Sequence, residues 1–155
     1  MAVITLTTDF GLRDHYTGSL RGALLRQLPS ATVIDISHQI TPFDFDQAAY
    51  VLGHAYHEFP AGTIHLVAVG SGGGGKFPHV IVQLGEHFFI GCDNGMFSLL
   101  SDKNPSAVIE LAAGGKEPST FVARDLYVPA AAALANGTPA AQLGRALEDI
   151  QRRNR

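Results

Sequence analysis

The sequence has a single cysteine, Cys92, and no apolar stretch long enough to cross a bilayer. A lone cysteine cannot form an internal disulfide, which is typical of a reducing compartment. A membrane-spanning helix needs about 20 consecutive apolar residues. The first residues, Met1 to Ile4, also lack the basic flank and the cleavage pattern of a secretory signal. These absences predict a soluble cytoplasmic protein with no membrane partner.

The chain also lacks a strong charge of one sign. Its formal net charge is -3, and its charged residues are scattered rather than gathered in a basic stripe. Binding of nucleic acid depends on lysines and arginines that displace counterions, so nucleic acid is not an expected partner. The length of 155 residues suits one domain with its own core. We expect a single domain over residues 1–150 and a frayed tail over residues 151–155.

Short β-branched runs alternate with helical patterns along the first half of the chain. The pattern predicts strands at 3–7, 32–36 and 63–69, and helices at 15–28 and 44–59. In the second half it predicts a hairpin at 80–90, a short helix at 94–100, a strand at 107–111 and an alanine-rich helix at 124–135. This order indicates an α/β domain of three layers, with a mostly parallel, mixed sheet between helices on both faces.

Asp9 follows the first predicted strand directly, at the edge where α/β sheets gather their ligands. Gly11 lies two residues after Asp9, and its missing side chain lets a ligand approach the backbone. The Asp9 carboxylate can accept two hydrogen bonds from a vicinal diol such as that of ribose. The alternative is that Asp9 caps the following helix, but Asp14 lies closer to the helix start. We predict a ligand role for Asp9 and a capping role for Asp14.

Two further loops carry candidate residues at the same edge. Phe43, after the second strand, either packs on a sugar or base or is an ordinary core residue beside Phe45. Asp93 and Asn94 follow the strand that ends at Cys92 and precede a short helix. Helix capping explains this last pair fully, so capping is the favoured interpretation.

A glycine-rich segment at residues 70–76 matches the formal pattern of a phosphate-binding loop. Such a loop needs a Ser or Thr after its lysine and a helix whose N-terminus faces the phosphates. Phe77 and Pro78 follow here instead, and then a β-branched run. The sequence favours a linker-like loop, with a phosphate-loop nucleotide binder as the distant alternative.

Seven histidines raise the question of a metal site, but none of their spacings suits one. His54 and His57 lie three residues apart, whereas the zinc peptidase motif has its two histidines four apart. We interpret this pair as part of a solvated helix face. Cys92, at the end of an apolar run, is expected to be a buried, inert thiol. We predict neither a metal nor a separate cofactor.

Five short segments occur in a particular order: Thr7-Thr8-Asp9-Phe10-Gly11, Asp35-Ile36-Ser37-His38, Ile40-Thr41-Pro42-Phe43-Asp44, Phe89-Ile90-Gly91-Cys92-Asp93-Asn94-Gly95 and Arg124-Asp125. Together they resemble the S-adenosylmethionine hydrolase family, the hydroxide adenosyltransferases related to fluorinating and chlorinating enzymes. The resemblance covers nearly the whole chain and implies the Rossmann-like N-terminal domain of that family.

The resemblance also implies a reaction and a set of site residues. In the family, water or a halide attacks C5′ of S-adenosylmethionine, which releases methionine and leaves adenosine or a halogenated nucleoside. S-adenosylmethionine is then a substrate or ligand, and the trimers of the family imply a homo-oligomer. The ligand-binding residues implied here are the ribose-binding Asp9 with its neighbours Phe10 and Gly11, the sugar-pocket residue Phe43, and Thr120 and Phe121 beside the reacting centre.

Three positions depart from the hydrolytic members, which use an aspartate, an arginine and a histidine to position and activate water. Gly70 replaces the aspartate, Phe77 stands near the arginine position with Lys76 beside it, and Val122 replaces the histidine. The family's C-terminal β-barrel domain is also expected to be absent from this sequence. We therefore expect a domain that binds S-adenosylmethionine or adenosine with weak or no hydrolysis. A non-catalytic nucleoside-binding or assembly module is the alternative.

Overall fold

The computed structural model describes residues 2–71, 77–112 and 120–152. In these ranges the strands are β1 (Val3–Thr8), β2 (Thr32–Ser37), β3 (Ile64–Ala68), β4 (His79–Leu84), β5 (His87–Cys92), β6 (Ala107–Leu111) and β7 (Gly144–Ala146). The α-helices of the same ranges are α1 (Tyr16–Gln27), α2 (Phe45–Ala55), α3 (Met96–Leu100) and α4 (Val128–Ala135). Short 3₁₀ turns cover Tyr56–Glu58 and Ala140–Gln142, and a π-helical turn covers Ala123–Tyr127. None of the helices in the described ranges is long and apolar enough to cross a membrane.

The strands form one mixed sheet in the order β2-β1-β3-β5-β4-β6-β7. β1 pairs in parallel with β2 and β3, and β3 pairs in parallel with β5. The predicted β4–β5 hairpin is present, and the antiparallel pairing continues through β6 to β7. The α/β fold with a mixed sheet is confirmed, although its antiparallel part is larger than the sequence indicated. The carboxyl ends of β1, β2, β3 and β5 lie at one edge, which we call the carboxyl edge.

Two apolar clusters cover the two faces of the sheet, which confirms the three layers. On one face, α1 and α4 pack on β1 and β3 through residues such as Leu20, Ala131 and Leu66. On the other face, α2 and α3 pack through residues such as Leu52 and Phe97. β3 contributes Leu66 to one cluster and Val67 to the other, because successive strand residues point to opposite faces. Its continuous apolar run is explained by burial on both sides.

The predicted capping role of Asp14 is wrong. The residue before α1 is His15, which itself has helical backbone angles, and no side chain caps the helix. Asp14 lies one residue further out and is exposed. The turn is attached to α1 by Thr17 instead, whose hydroxyl donates to the carbonyl of Gly11 at 3.2 Å. At α2 a side chain does cap the helix, since Asp44 accepts the N–H of Gln47 at 2.9 Å.

The frayed tail stays a prediction, and its first two residues make hydrogen bonds in the structure. The backbone N–H of Gln151 donates to the carboxylate of Asp93, and the Arg152 guanidinium donates to Asp149. Ile150, directly before them, is buried in the core. Residues 153–155 lie outside the described ranges. Arg152 also donates to Asn104 at 3.2 Å, so both described residues of this tail have partners elsewhere in the chain.

Candidate functional site

Asp9 joins the loops that follow three neighbouring parallel strands. It comes after β1, and its Oδ2 atom accepts the N–H of Gly70, after β3, at 3.0 Å. The same atom accepts the N–H of Phe43, after β2, at 3.4 Å. No described residue donates a hydrogen bond to Oδ1 of Asp9. One carboxylate oxygen therefore holds the loops together, and the other keeps its capacity to accept hydrogen bonds from a ligand.

The two residues whose amides bind Asp9 both have left-handed backbones. Gly70 has φ 60° and Phe43 has φ 61°, and Phe43 is the one non-glycine residue with positive φ in the described ranges. A left-handed conformation costs a bulky residue about 1–3 kcal/mol and often occurs at ligand-binding sites. The Phe43 side chain is also 71% exposed. Strain and an exposed aromatic ring thus coincide beside the carboxylate.

A cavity of about 270 Å³ opens beside Asp9 at the carboxyl edge. Its walls are Asp9, Phe10, Tyr16, Pro42, Phe43, Gly70, Ser71, Thr120, Phe121, Val122 and Ala123. Five of the six predicted ligand-binding residues therefore lie around one space, which we call the Asp9 cavity. The sixth, Gly11, lines an adjoining cavity of about 530 Å³ together with Asp9 and Phe10. The ligand role of these six residues stays a prediction.

One wall of the Asp9 cavity is aromatic. The Phe121 ring contacts Phe10 and Tyr16 edge to face, with ring centroids 5.7 Å and 5.3 Å apart. The guanidinium of Arg124 lies 5.0 Å from the centroid of the Phe121 ring. Sequence reasoning missed Tyr16, because it treated this residue as part of a helix with ordinary apolar spacing. A flat apolar wall of this kind suits the face of a sugar or a base.

Two of the three positions that depart from the hydrolytic pattern lie in the wall of the Asp9 cavity. These are Gly70 and Val122. Phe77 lies in a neighbouring cavity of about 610 Å³, which it shares with Phe43, and Lys76 is outside the described ranges. Among the described residues that line the Asp9 cavity, Asp9 and Tyr16 are the ionisable ones. The described wall therefore offers few groups that could accept a proton from water.

Gly70 has no room for a side chain in this conformation. A Cβ atom added there would lie 2.7 Å from a ring carbon of Phe45 and 3.1 Å from a ring carbon of Phe43. An aspartate at this position would therefore require both rings to move.

The histidine pair, Cys92 and the glycine-rich segment were also interpreted from the sequence. His54 and His57 are exposed, as expected for a solvated helix face. Cys92 is buried, and burial together with the neighbouring carboxylate raises the pKa of its thiol to about 11, which confirms an inert thiol. Residues 72–76 of the glycine-rich segment lie outside the described ranges. The element after them is strand β4 and not the helix that a phosphate-binding loop needs.

The capping interpretation is confirmed for Asn94 but is wrong for Asp93. Asn94 Oδ1 accepts the N–H of Met96 at 3.1 Å. The Asp93 carboxylate instead accepts the N–H of Gln151 at 3.0 and 3.2 Å. Asp93 is 1% exposed, and burial raises the pKa of its carboxyl to about 6. Its partner is 58 residues away in the sequence, so local spacing carried no signal of it.

Comparison with known proteins gives a consistent result. The family model described as the SAM hydroxide adenosyltransferase N-terminal domain matches residues 4–144. An (R)-S-adenosyl-L-methionine hydrolase from Salinispora tropica is 34% identical over 94% of this chain and 58% of its own length. A fluorinase from Actinoplanes is 23% identical over 95% of this chain and 59% of its own. A solved structure from Thermotoga maritima has a TM-score of 0.90 at 31% identity, over 97% of this chain and 60% of that one. The chain thus spans about 58% of the first hydrolase's length.

Proposed function

Because the chain belongs to the SAM hydroxide adenosyltransferase family, we propose that it binds S-adenosylmethionine or adenosine through the ribose hydroxyls. Asp9 is the acceptor of these hydroxyls, and the aromatic residues around it form the walls of the sugar pocket. The names of the relatives, a hydrolase and a fluorinase, point to attack by water or halide on C5′ as the reaction class. In the same proposal, Thr120 and Phe121 lie beside C5′, and the domain works in the cytoplasm as a homo-oligomer.

The observation that carries this proposal is the unequal use of the two Asp9 oxygens. Oδ2 accepts two backbone amides from two other loops, and Oδ1 accepts no hydrogen bond from a described residue. A charge-assisted hydrogen bond contributes about 1.5–3 kcal/mol, and less where water competes. One such oxygen with two lone pairs can bind a vicinal diol. We therefore expect specific but weak binding of the ribose.

The chemical step makes modest demands on the protein. Attack at C5′ forms a C–O bond with water and breaks the C–S bond, so methionine leaves as a neutral thioether and needs no acid. The proton of the attacking water passes to solvent or to a base. Alignment of the nucleophile and removal of this proton are the remaining tasks. Gly70 and Val122 carry no group that can perform them, and loss of a general base typically costs 10²–10⁴-fold in rate. We propose that hydrolysis by this chain is slow or absent.

Gly70 and Val122 also favour a second candidate, a nucleoside-binding or assembly module without catalysis. This candidate shares the ribose site with the first and differs only in turnover. A phosphate-loop nucleotide binder is a poorer candidate, because strand β4 follows the glycine-rich segment.

Incubation of the purified chain with S-adenosylmethionine, with adenosine and methionine followed by chromatography, separates these candidates. We expect turnover far below 1 s⁻¹, the lower end for ordinary enzymes, and loss of any residual turnover in Asp9→Ala. Calorimetric titration with adenosine, S-adenosylmethionine and magnesium-ATP accompanies the assay. Binding of the first two is expected. Turnover at about 1 s⁻¹ or faster would contradict slow hydrolysis, and preference for magnesium-ATP would contradict the ribose site.

A further inference from the structure

A buried histidine lies behind the Asp9 turn and has polar partners on both ring nitrogens. The His38 side chain is 2% exposed. Its Nδ1 lies 2.8 Å from Oγ1 of Thr8, the residue directly before Asp9. Its Nε2 lies 2.9 Å from Oδ1 of Asp35, which also accepts a hydrogen bond from Arg21 at 2.7 Å. The angles at Nε2 do not meet hydrogen-bond criteria, so its contact with Asp35 is an electrostatic one.

The same histidine is bonded to the Asp9 turn on both sides of Asp9. Thr8 Oγ1, its side-chain partner, accepts the N–H of Phe10 at 3.2 Å. The His38 carbonyl accepts the N–H of Gly11 at 2.7 Å. His38 thus holds the residues before and after Asp9. It is absent from the walls of the Asp9 cavity but lines the adjoining cavity together with Asp9 and Gly11.

One arrangement of the ring proton of His38 matches the donors and acceptors of this network. With the ring proton on Nε2, the N–H faces the Asp35 carboxylate, and Nδ1 accepts the Thr8 hydroxyl proton. The Thr8 oxygen can then accept the N–H of Phe10. In this tautomer Nδ1 is the acceptor in the one hydrogen bond that the ring makes, and the Nε2–H group makes an electrostatic contact with Asp35.

We propose that His38 is a positioning residue, which holds the Thr8 hydroxyl and thereby aims Oδ1 of Asp9 at the ribose. This inference rests on the proposed nucleoside function. A loosened turn would leave the fold intact but would blur the position of the Asp9 carboxylate. Preorganised hydrogen-bonding groups lose much of their value when they are displaced by about 0.5 Å. His38 therefore affects recognition of the ribose hydroxyls in particular.

The same sheet supplies a matched control. His65, on β3, is fully buried, and its Nδ1 lies 2.7 Å from the Oγ1 of Thr5. Thr5 precedes Thr8 by three residues on β1, which places the pair roughly 10 Å further from the carboxyl edge. The Thr5–His65 pair thus repeats the buried Thr–His contact without contact to the Asp9 turn, and Nε2 of His65 lies 3.1 Å from Nδ1 of His87 where His38 has a carboxylate.

The test compares binding of adenosine with that of 2′,3′-dideoxyadenosine, which lacks both ribose hydroxyls, by calorimetry. In the wild type we expect adenosine to bind at least fivefold more tightly. His38→Leu and Thr8→Val should bring this ratio to within twofold of one. His38→Asn should restore it in part, because a carboxamide can reach the Nδ1 position. His65→Leu and Thr5→Val should lower stability but keep the ratio.

A second readout needs no ligand. Hydrogen exchange at the amides of Phe10 and Gly11 should accelerate at least tenfold in Thr8→Val relative to Thr5→Val, measured under conditions where both variants are folded. Thr8→Val keeps the side-chain shape, so it serves where His38→Leu fails to fold.

The outcomes distinguish the two proposals. A wild type without any preference for adenosine over the dideoxy analogue would overturn the proposed function, and with it this inference. A wild-type preference that survives in folded His38→Leu or Thr8→Val would overturn the positioning role alone. Unchanged exchange at Phe10 and Gly11 would also overturn it.

Discussion

The backbone N–H of Gly70 donates a hydrogen bond to Asp9. Gly70 has a left-handed backbone conformation that residues with a side chain rarely adopt. Its φ is 60°, and an added Cβ would collide with the Phe45 ring. We expect Gly70→Ala to lower the free energy of unfolding by about 1 kcal/mol for the backbone and by about 1–3 kcal/mol more for overpacking. Gly62→Ala is the control, because Gly62 has φ 88° and open space around it. Urea denaturation measures the free energy of unfolding of both variants. Equal losses in Gly70→Ala and Gly62→Ala would contradict the predicted collision with the Phe45 ring.

Phe43 combines a strained backbone with an exposed ring. We expect Phe43→Gly to keep the free energy of unfolding or raise it by up to about 1 kcal/mol, because glycine relieves the strain. Affinity for adenosine should fall at the same time, since the ring no longer lines the pocket. Tyr50→Ala removes a ring that is 68% exposed on α2 and should leave affinity unchanged. Thermal denaturation measures the stability of Phe43→Gly, and calorimetry measures its affinity for adenosine. A loss of stability above about 2 kcal/mol would contradict a strained backbone at Phe43.

At this scale the sequence indicated where Asp9 lies but not how it is used. A carboxylate after a β-strand, followed by Gly11, is a local pattern. The bonds from Phe43 and Gly70 to Oδ2 join loops 34 and 61 residues away from Asp9. They form only when the parallel strands align. The sequence-based interpretation therefore gave both oxygens to the ligand, whereas the structure leaves it Oδ1.

The elements followed from the sequence wherever local periodicity marked them. β3 was recognisable because burial on both faces gives an unbroken apolar run, and α2 because its residues have helical apolar spacing. β7 was missed because it has three residues and lies exposed at the sheet edge. Its position depends on Gly144, where any side chain would collide with the Glu110 backbone. The sequence predicted an ordinary helix from residue 124, whereas the structure has a π-helical turn over Ala123–Tyr127 before α4 begins.

The segment that contains Gln151 is attached to the sheet by Asp93, and this attachment depends on pH. The folded-state pKa of Asp93, about 6, lies above its ordinary 3.8 because of burial. The folded chain keeps this proton at pH values where the unfolded chain has lost it, so stability falls as the pH rises from about 4 to about 6. Asp93→Asn removes that loss. Its free energy of unfolding relative to wild type should therefore rise by about 1–2 kcal/mol between pH 4.5 and 7.

Urea denaturation across this pH range tests the role of Asp93. Asp14→Asn removes one exposed carboxyl and controls for the change in net charge. An Asp93→Asn variant whose stability runs parallel to wild type at every pH would contradict a raised pKa in the folded state.

On the scale of the whole molecule, the order of the strands in the sheet brings the residues of the candidate site together. The loops after β1, β2 and β3 come from separate parts of the sequence and meet because the three strands are parallel neighbours. The family resemblance supplied the identity of the residues that meet there, and the sheet order explains why they meet. Gly70 and Val122, the positions that depart from the hydrolytic pattern, lie in the wall of the same cavity.

The central claim is that Asp9 binds the ribose of a nucleoside. Asp9→Asn tests it most directly, because the carboxamide oxygen can still accept the amides of Gly70 and Phe43, while the second oxygen becomes a neutral N–H₂ donor. Calorimetric titration with adenosine should show binding to the wild type and at least about tenfold weaker binding to Asp9→Asn, since about 1.4 kcal/mol of hydrogen bonding corresponds to that factor. Equal affinity in the two folded proteins would contradict the account.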